Sequence, residues 1–168
     1  MHAVAGRGPR LALHERGDHY VIASWRSLFV MVWYGGASLH ALDAMERHED
    51  RVLARHPDGI TAFFVIRDIA ITRPPGADVR ERSEALLEKY APHLRGTAQV
   101  IEGGGFKASM ARTFLTAVTL FGRSKVRTKA FGDVRPAMKW VGGLPTQPAE
   151  IAEHAEPICA AIDALSLS

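Results

Sequence analysis

The sequence holds a single cysteine, Cys159, so no disulfide can form within the chain. A lone thiol beside an apolar tail reads as a small buried hydrophobe, and a reducing cytoplasm is the compartment it fits. No apolar run approaches the ~20 residues that a membrane helix needs. Residues 28–34 are apolar, but Gly35 and Gly36 end the run after one strand's length. Arg7 and Arg10 stand near the start without a long apolar core or a cleavage site, which argues against a signal peptide. Low-complexity tracts and interior linkers are missing too, so disorder is not indicated.

Catalytic and metal signatures are also scarce. Three of the histidines, His40, His48 and His56, fall on or at the end of one predicted helix. A spacing of eight turns successive rings apart by about 80° on an ideal helix, so they do not converge. There is no His-x-x-x-His or Cys-x-x-Cys pair, and these histidines read as solvated or helix-end groups. No serine sits in a Gly-x-Ser-x-Gly elbow. Asp43, Glu46, Glu49 and Asp50 read as a solvated helix face rather than a paired acid and base. Neither a cofactor nor a metal is implied.

What is present is a chain of 168 residues, enough for one domain to bury a core without a metal or disulfide staple. The net charge is only +3, yet it is unevenly placed. Lys107, Arg112, Arg123, Lys125, Arg127, Lys129, Arg135 and Lys139 share their stretch with one acid, Asp133. Beyond Lys139 come Glu150, Glu153, Glu156 and Asp163, with no Lys or Arg. This pattern fits an anionic partner, or the acidic tail lying over the basic region. Arg123, Lys125, Arg127 and Lys129 alternate and would share one face of a strand, but no nucleic-acid motif accompanies them.

Along the chain, residues 10–15 and 19–26 read as short strands around a turn at Arg16-Gly17-Asp18. Residues 28–34 read as a strand covered on both faces. Ser38 opens a helix to about residue 55, with Leu42, Met45, Glu49, Val52 and Leu53 at approximately helical spacing. Pro57-Asp58-Gly59 stops it, and residues 60–67 form a second strong strand. Asp78 with Glu81 has capping-box spacing, opening a helix with Val79, Ser83, Leu86 and Tyr90 on one face. A strand at 97–102, a helix from 106 to about 121 and a strand at 126–131 follow. Asp133 caps a short helix closed by Gly142-Gly143, and residues 145–168 form a helical tail divided by Pro157. Trp25, Trp33 and Trp140 read as packing residues. The alternation predicts an α/β fold with a mixed, mostly parallel sheet flanked by helices and an extra C-terminal helical tail. Residues 1–18 would be a leader and edge strand, 19–144 the α/β domain, and 145–168 a helical extension of it.

Two local features carry site expectations. The run Gly103-Gly104-Gly105-Phe106-Lys107 follows a strand and opens a helix. Backbone N–H groups at Gly104 and Gly105, with Lys107 and Ser109, could hold an anion there, although a tight strand-to-helix turn is the plainer reading. The run has neither the Gly-Lys-Ser/Thr ending of a phosphate loop nor the Rossmann spacing. In helix 106–121 the polar stripe is the narrow one, and the wide apolar arc includes Phe114, Leu115 and Phe121. A second protomer, giving a homodimer, would cover that arc; so would the tail through Ile151, Ile158, Ile162 and Leu165.

The strand 60–67 leading into a loop and helix, the Phe131-Gly132-Asp133 turn, and Ala137-Met138-Lys139-Trp140-Val141 together resemble the STAS-like family, over roughly residues 19–144. The last segment is similar to the Ala-x-x-Trp-Leu ending of many SpoIIAA-like chains. The resemblance implies the fold of the anti-sigma-factor antagonists, which the SEC14-like branch shares in outline. It also implies a regulatory or scaffolding role through protein–protein interaction. The SEC14-like branch adds, as the alternative, a module that binds a small apolar or anionic ligand; an enzyme ranks last. Antagonists carry a phosphoacceptor serine after the corresponding strand. Here residues 67–76 hold no serine, and Thr72, their only hydroxyl, is followed by Arg73-Pro74-Pro75, so it is not expected to be a phosphosite.

Overall fold

The computed structural model describes residues 8–67, 75–103 and 126–168. One six-stranded sheet organises them, with its strands side by side in chain order. Strands β1 (Ala12–Arg16), β2 (Tyr20–Trp25) and β3 (Leu28–Trp33) form an antiparallel meander. β3, β4 (Ile60–Ile66), β5 (Leu94–Ile101) and β6 (Thr128–Phe131) are parallel. The sheet is therefore mixed and mostly parallel, with the antiparallel pairs at one edge, as the alternation of elements predicts.

Helices α1 (Leu39–Arg55) and α2 (Ala77–Tyr90) lie on one face of the sheet. Consecutive right-handed crossovers in one direction require that common side. The other face carries α3 (Val134–Gly142), α4 (Ala149–Glu153) and α5 (Ala155–Asp163). β3 shows why its sequence is apolar throughout. Phe29 and Met31 pack under α1 and α2, while Leu28, Val30 and Val32 join the core under α3 to α5. A strand buried on both faces has no polar side to alternate with.

Local chemistry sets the helix ends. The Ser38 hydroxyl accepts from the Ala41 N–H at 3.1 Å, and the Asp133 carboxylate accepts from the Arg135 N–H at 2.8 Å. The α2 start differs from the capping-box expectation. Gly76 is the N-cap, and Asp78 lies inside the first turn, where its side chain accepts from the Val79 N–H. Gly59 closes the turn after α1 at φ 137°, and Gly103 follows β5 at φ 105°, conformations that L side chains rarely adopt.

The tail is core rather than appendage. Ile151, Ile158, Ile162 and Cys159 are fully buried against α3 and the sheet. Its two helices part at His154, not at Pro157. Proline is tolerated in a first turn, where its missing N–H has no intrahelical acceptor, and Pro157 takes such a place in α5. Of the acidic tail residues, Glu156 and Asp163 pair with Arg135 at 2.8 and 3.1 Å, while Glu150 reaches Arg26 on the β2–β3 turn. Among the described residues no helix is long and apolar enough to cross a membrane.

Candidate functional site

Polar chemistry concentrates where β1 meets α1. The pairing of β1 with β2 slips between Leu13 and Glu15, a β-bulge with His14 as the extra residue. A bulge breaks the alternation of a strand and re-aims a side chain. His14 and Glu15 consequently both meet groups on the α1 side of the sheet.

Glu15 is the hub. Its carboxylate accepts from the Tyr20 hydroxyl at 2.7 Å and from Arg47 at 3.0 Å, and lies 2.7 Å from His48 Nε2. Burial alone would push this carboxyl up, but those three hydrogen bonds outweigh it and hold it at about 2. Burial and the Glu15 bond push the Tyr20 phenol to about 12. The His14 ring lies nearly parallel to that of His48, with centroids 5.5 Å apart, and its Nε2 is 2.7 Å from the Ser24 hydroxyl. Burial lowers the His14 pKa, and His48, Arg55 and Arg51 lower it further by repelling a positive ring. A serine on a neutral imidazole is the start of a nucleophile–base pair. Ser24 is buried beneath the helices, however, and the contact ties β1 to β2 rather than facing a cleft.

Two sequence expectations fail here. His48 is not solvated but buried, at 5% exposure. Helical spacing within α1 carries no information about partners across the sheet, and His48 finds its partners, Glu15 and His14, on β1. Glu49 does not belong to a solvated acidic face. It is 2% exposed on the core side of α1, and burial, then the charge of Asp50, pushes its carboxyl up to about 8. Its place in the stripe with Met45 and Val52 already carried that signal.

The two flanks of α1 differ in electrostatics. Towards α2, Asp43 and Glu46 pair with Arg82, and Glu46 and Asp50 pair with Lys89. Towards β1 stand Arg47, Arg51 and Arg55 at four-residue spacing, the interval that places side chains along one flank. Arg47 is paired to Glu15. Among the described residues Arg51 and Arg55 have no ion-pair partner, and both are exposed.

Concave surface is modest among the described residues. An open trough of about 350 Å³ at the N-terminal ends of β4 and β5 is lined by His93, Arg95, Arg127 and Thr146. Its Arg95 already serves Asp58 and the Gly59 carbonyl. A cleft of about 170 Å³ lies between α3 and the tail over Met138 and Cys159. Burial pushes the Cys159 thiol up to about 11. Among the described residues no group of three or more His, Cys, Asp or Glu could hold a metal ion.

The anion-binding expectation at Gly104, Gly105, Lys107 and Ser109, the interface expectation at Phe114, Leu115 and Phe121, and Thr72 all lie outside the described residues. So do Arg123 and Lys125; Lys129 is exposed on β6, with its ammonium 5.4 Å from the Phe131 ring centroid. No protein-family model matches the chain, and no curated protein matches it.

Proposed function

We propose that this chain works by binding another protein, as a STAS-like regulatory or scaffolding module of the cytoplasm. Its docking surface is the basic flank of α1 beside β1, and the occupant is an acidic segment of the partner. The observation that carries this reading is the contrast between the two flanks of one helix. The acidic flank is matched by Arg82 and Lys89 of α2, whereas Arg51 and Arg55 stand exposed beside His14 with no ion-pair partner among the described residues. Aligned guanidinium groups that repel a neighbouring imidazole leave a field that a row of carboxylates would neutralise. A second copy of this chain is a poor occupant, because two-fold pairing along this flank would set like charges against each other.

The test is a titration of the full chain with a ten-residue oligoglutamate, followed by amide NMR. Shifts should centre on residues 47–55 and 12–16, weaken with added salt, and vanish in Arg51→Glu/Arg55→Glu. Shifts centred elsewhere, or unchanged in the charge-reversed chain, would overturn the assignment. So would tighter binding of a single-stranded oligonucleotide at the same flank, which would make the partner a nucleic acid.

A further inference from the structure

Three residues form a row at the C-terminal edge of the parallel strands. Tyr34, Arg67 and Glu102 each follow immediately on a strand, β3, β4 and β5 respectively. Arg67 N–H donates to the Trp33 carbonyl and Glu102 N–H to that of Ile66, which fixes the row in register.

Here the row holds the chain's own backbone. The Arg67 guanidinium donates to the Ile162 carbonyl at 2.7 Å and the Leu165 carbonyl at 2.8 Å, with a longer contact to the Asp163 carbonyl at 3.4 Å. The Tyr34 hydroxyl donates to the same Leu165 carbonyl, and its ring lies 5.9 Å from the guanidinium. The charge itself is poorly answered. Among the described residues its ion-pair partner is Glu102, 3.5 Å from Arg67 Nε, with the charges of Asp163 and Asp133 also felt at Glu102, and Nε is buried without a hydrogen bond. Neutral carbonyls at a helix C-terminus carry partial negative charge, but an oxyanion would bring a full charge and two oxygens that match the planar guanidinium fork.

The geometry points to Arg67 and Tyr34 as a binding site for a small oxyanion, carboxylate or phosphate, closed in this state by residues 164–168 acting as a displaceable strap. The strap imitates the ligand: its Leu165 carbonyl stands where an anionic oxygen would be received by both the guanidinium and the phenol. Its first two residues are also tied to the helix end, Ala164 N–H to the Ala160 carbonyl at 3.1 Å and Leu165 N–H to the Ile162 carbonyl at 3.0 Å, and beyond them the ties are slight. Leu165 is only partly buried, and the Ser166 carbonyl accepts from Arg16 at 3.0 Å in an exposed contact. A ligand that needs the strap undocked binds with its affinity reduced by the undocked fraction, so loosening the strap must tighten binding. This inference does not depend on the docking flank of α1.

The experiment uses the full chain and reads the Arg67 Nε–Hε NMR signal together with the amides of residues 164–168. The probes are inorganic phosphate and acetate, each against sodium chloride at matched ionic strength. Both regions should move together with either probe and not with chloride. In Arg16→Ala/Leu165→Gly the apparent affinity should rise about tenfold, the factor set by losing one hydrogen bond of ordinary strength. Three results would overturn the proposal: signals that move equally in chloride, signals that stay still in both chains, and binding that does not tighten in the loosened chain. In any of these cases Arg67 is only the C-terminal cap of α5. The far-ultraviolet circular dichroism of the variant checks that it remains folded.

Discussion

Replacing Glu49 by glutamine should stabilise the protein, by an amount that grows with pH. The folded carboxyl titrates at about 8, against 4.5 for the free side chain. Because the folded value is raised, the folded state holds a proton that the unfolded chain has released. Stability is therefore full below the unfolded value and falls as pH rises towards 8. At about 1.4 kcal/mol per pH unit, the interval between 4.5 and 7 corresponds to roughly 3 kcal/mol lost at neutral pH. Above pH 8 the loss levels off near 5 kcal/mol on the same scale. Glutamine has nearly the shape of the protonated acid and no proton to lose. Urea unfolding of both chains at pH 5, 7 and 9 measures the difference directly. It should be under about 1 kcal/mol at pH 5, about 3 at pH 7 and larger at pH 9. Groups that titrate in both chains cancel in this comparison. A difference independent of pH would mean that Glu49 is ionised in the fold, and the burial argument would fail.

Other perturbations probe the remaining features. Ile158→Ala removes a fully buried side chain from the core under the tail helices and should cost about 2–5 kcal/mol, seen as a lowered Tm. Gly96→Ala would bring a Cβ within 2.7 Å of Leu144 and 3.2 Å of the Arg127 carbonyl, and should cost about 1–3 kcal/mol in urea unfolding. Cys159, buried and titrating near 11, should react with a thiol reagent only at the rate of unfolding, so fast native labelling at pH 8 would refute its placement.

Much of the fold could be read from the sequence because its signals are local. The two-sided apolar run at 28–34, the Ser38 cap and the Pro57-Asp58-Gly59 stop each act within a few residues, and the structure places elements accordingly. The capping box at Asp78 misled by two residues, since Gly76 can take the extended N-cap conformation without a side-chain bond. The polar sites were not legible, for a different reason. His14 meets His48 only through a register slip, and nothing in residues 10–16 marks a bulge. The row of Tyr34, Arg67 and Glu102 exists only once three strands have a common register. Arg67 then needs the end of α5, some 95 residues downstream, to show what it holds. Glu49 was legible in principle, since an acid at a core position of an amphipathic stripe must be buried, paired or protonated.

The position of α4 and α5 in the chain bears on how the protein is made. One face of the sheet is closed by α1 and α2, which are translated between the strands they cover. The other face waits for α3 and then for Ile151, Ile158 and Ile162. On the ribosome, Leu28, Val30 and Val32 emerge more than a hundred residues before those isoleucines do. For that interval a nascent sheet could be roofed on one side and bare on the other. Such a surface invites chaperone holding or contact between neighbouring nascent chains. Synonymous changes that slow translation just before residue 149 would lengthen the exposure and lower the soluble yield, while the stability of the finished protein stayed the same.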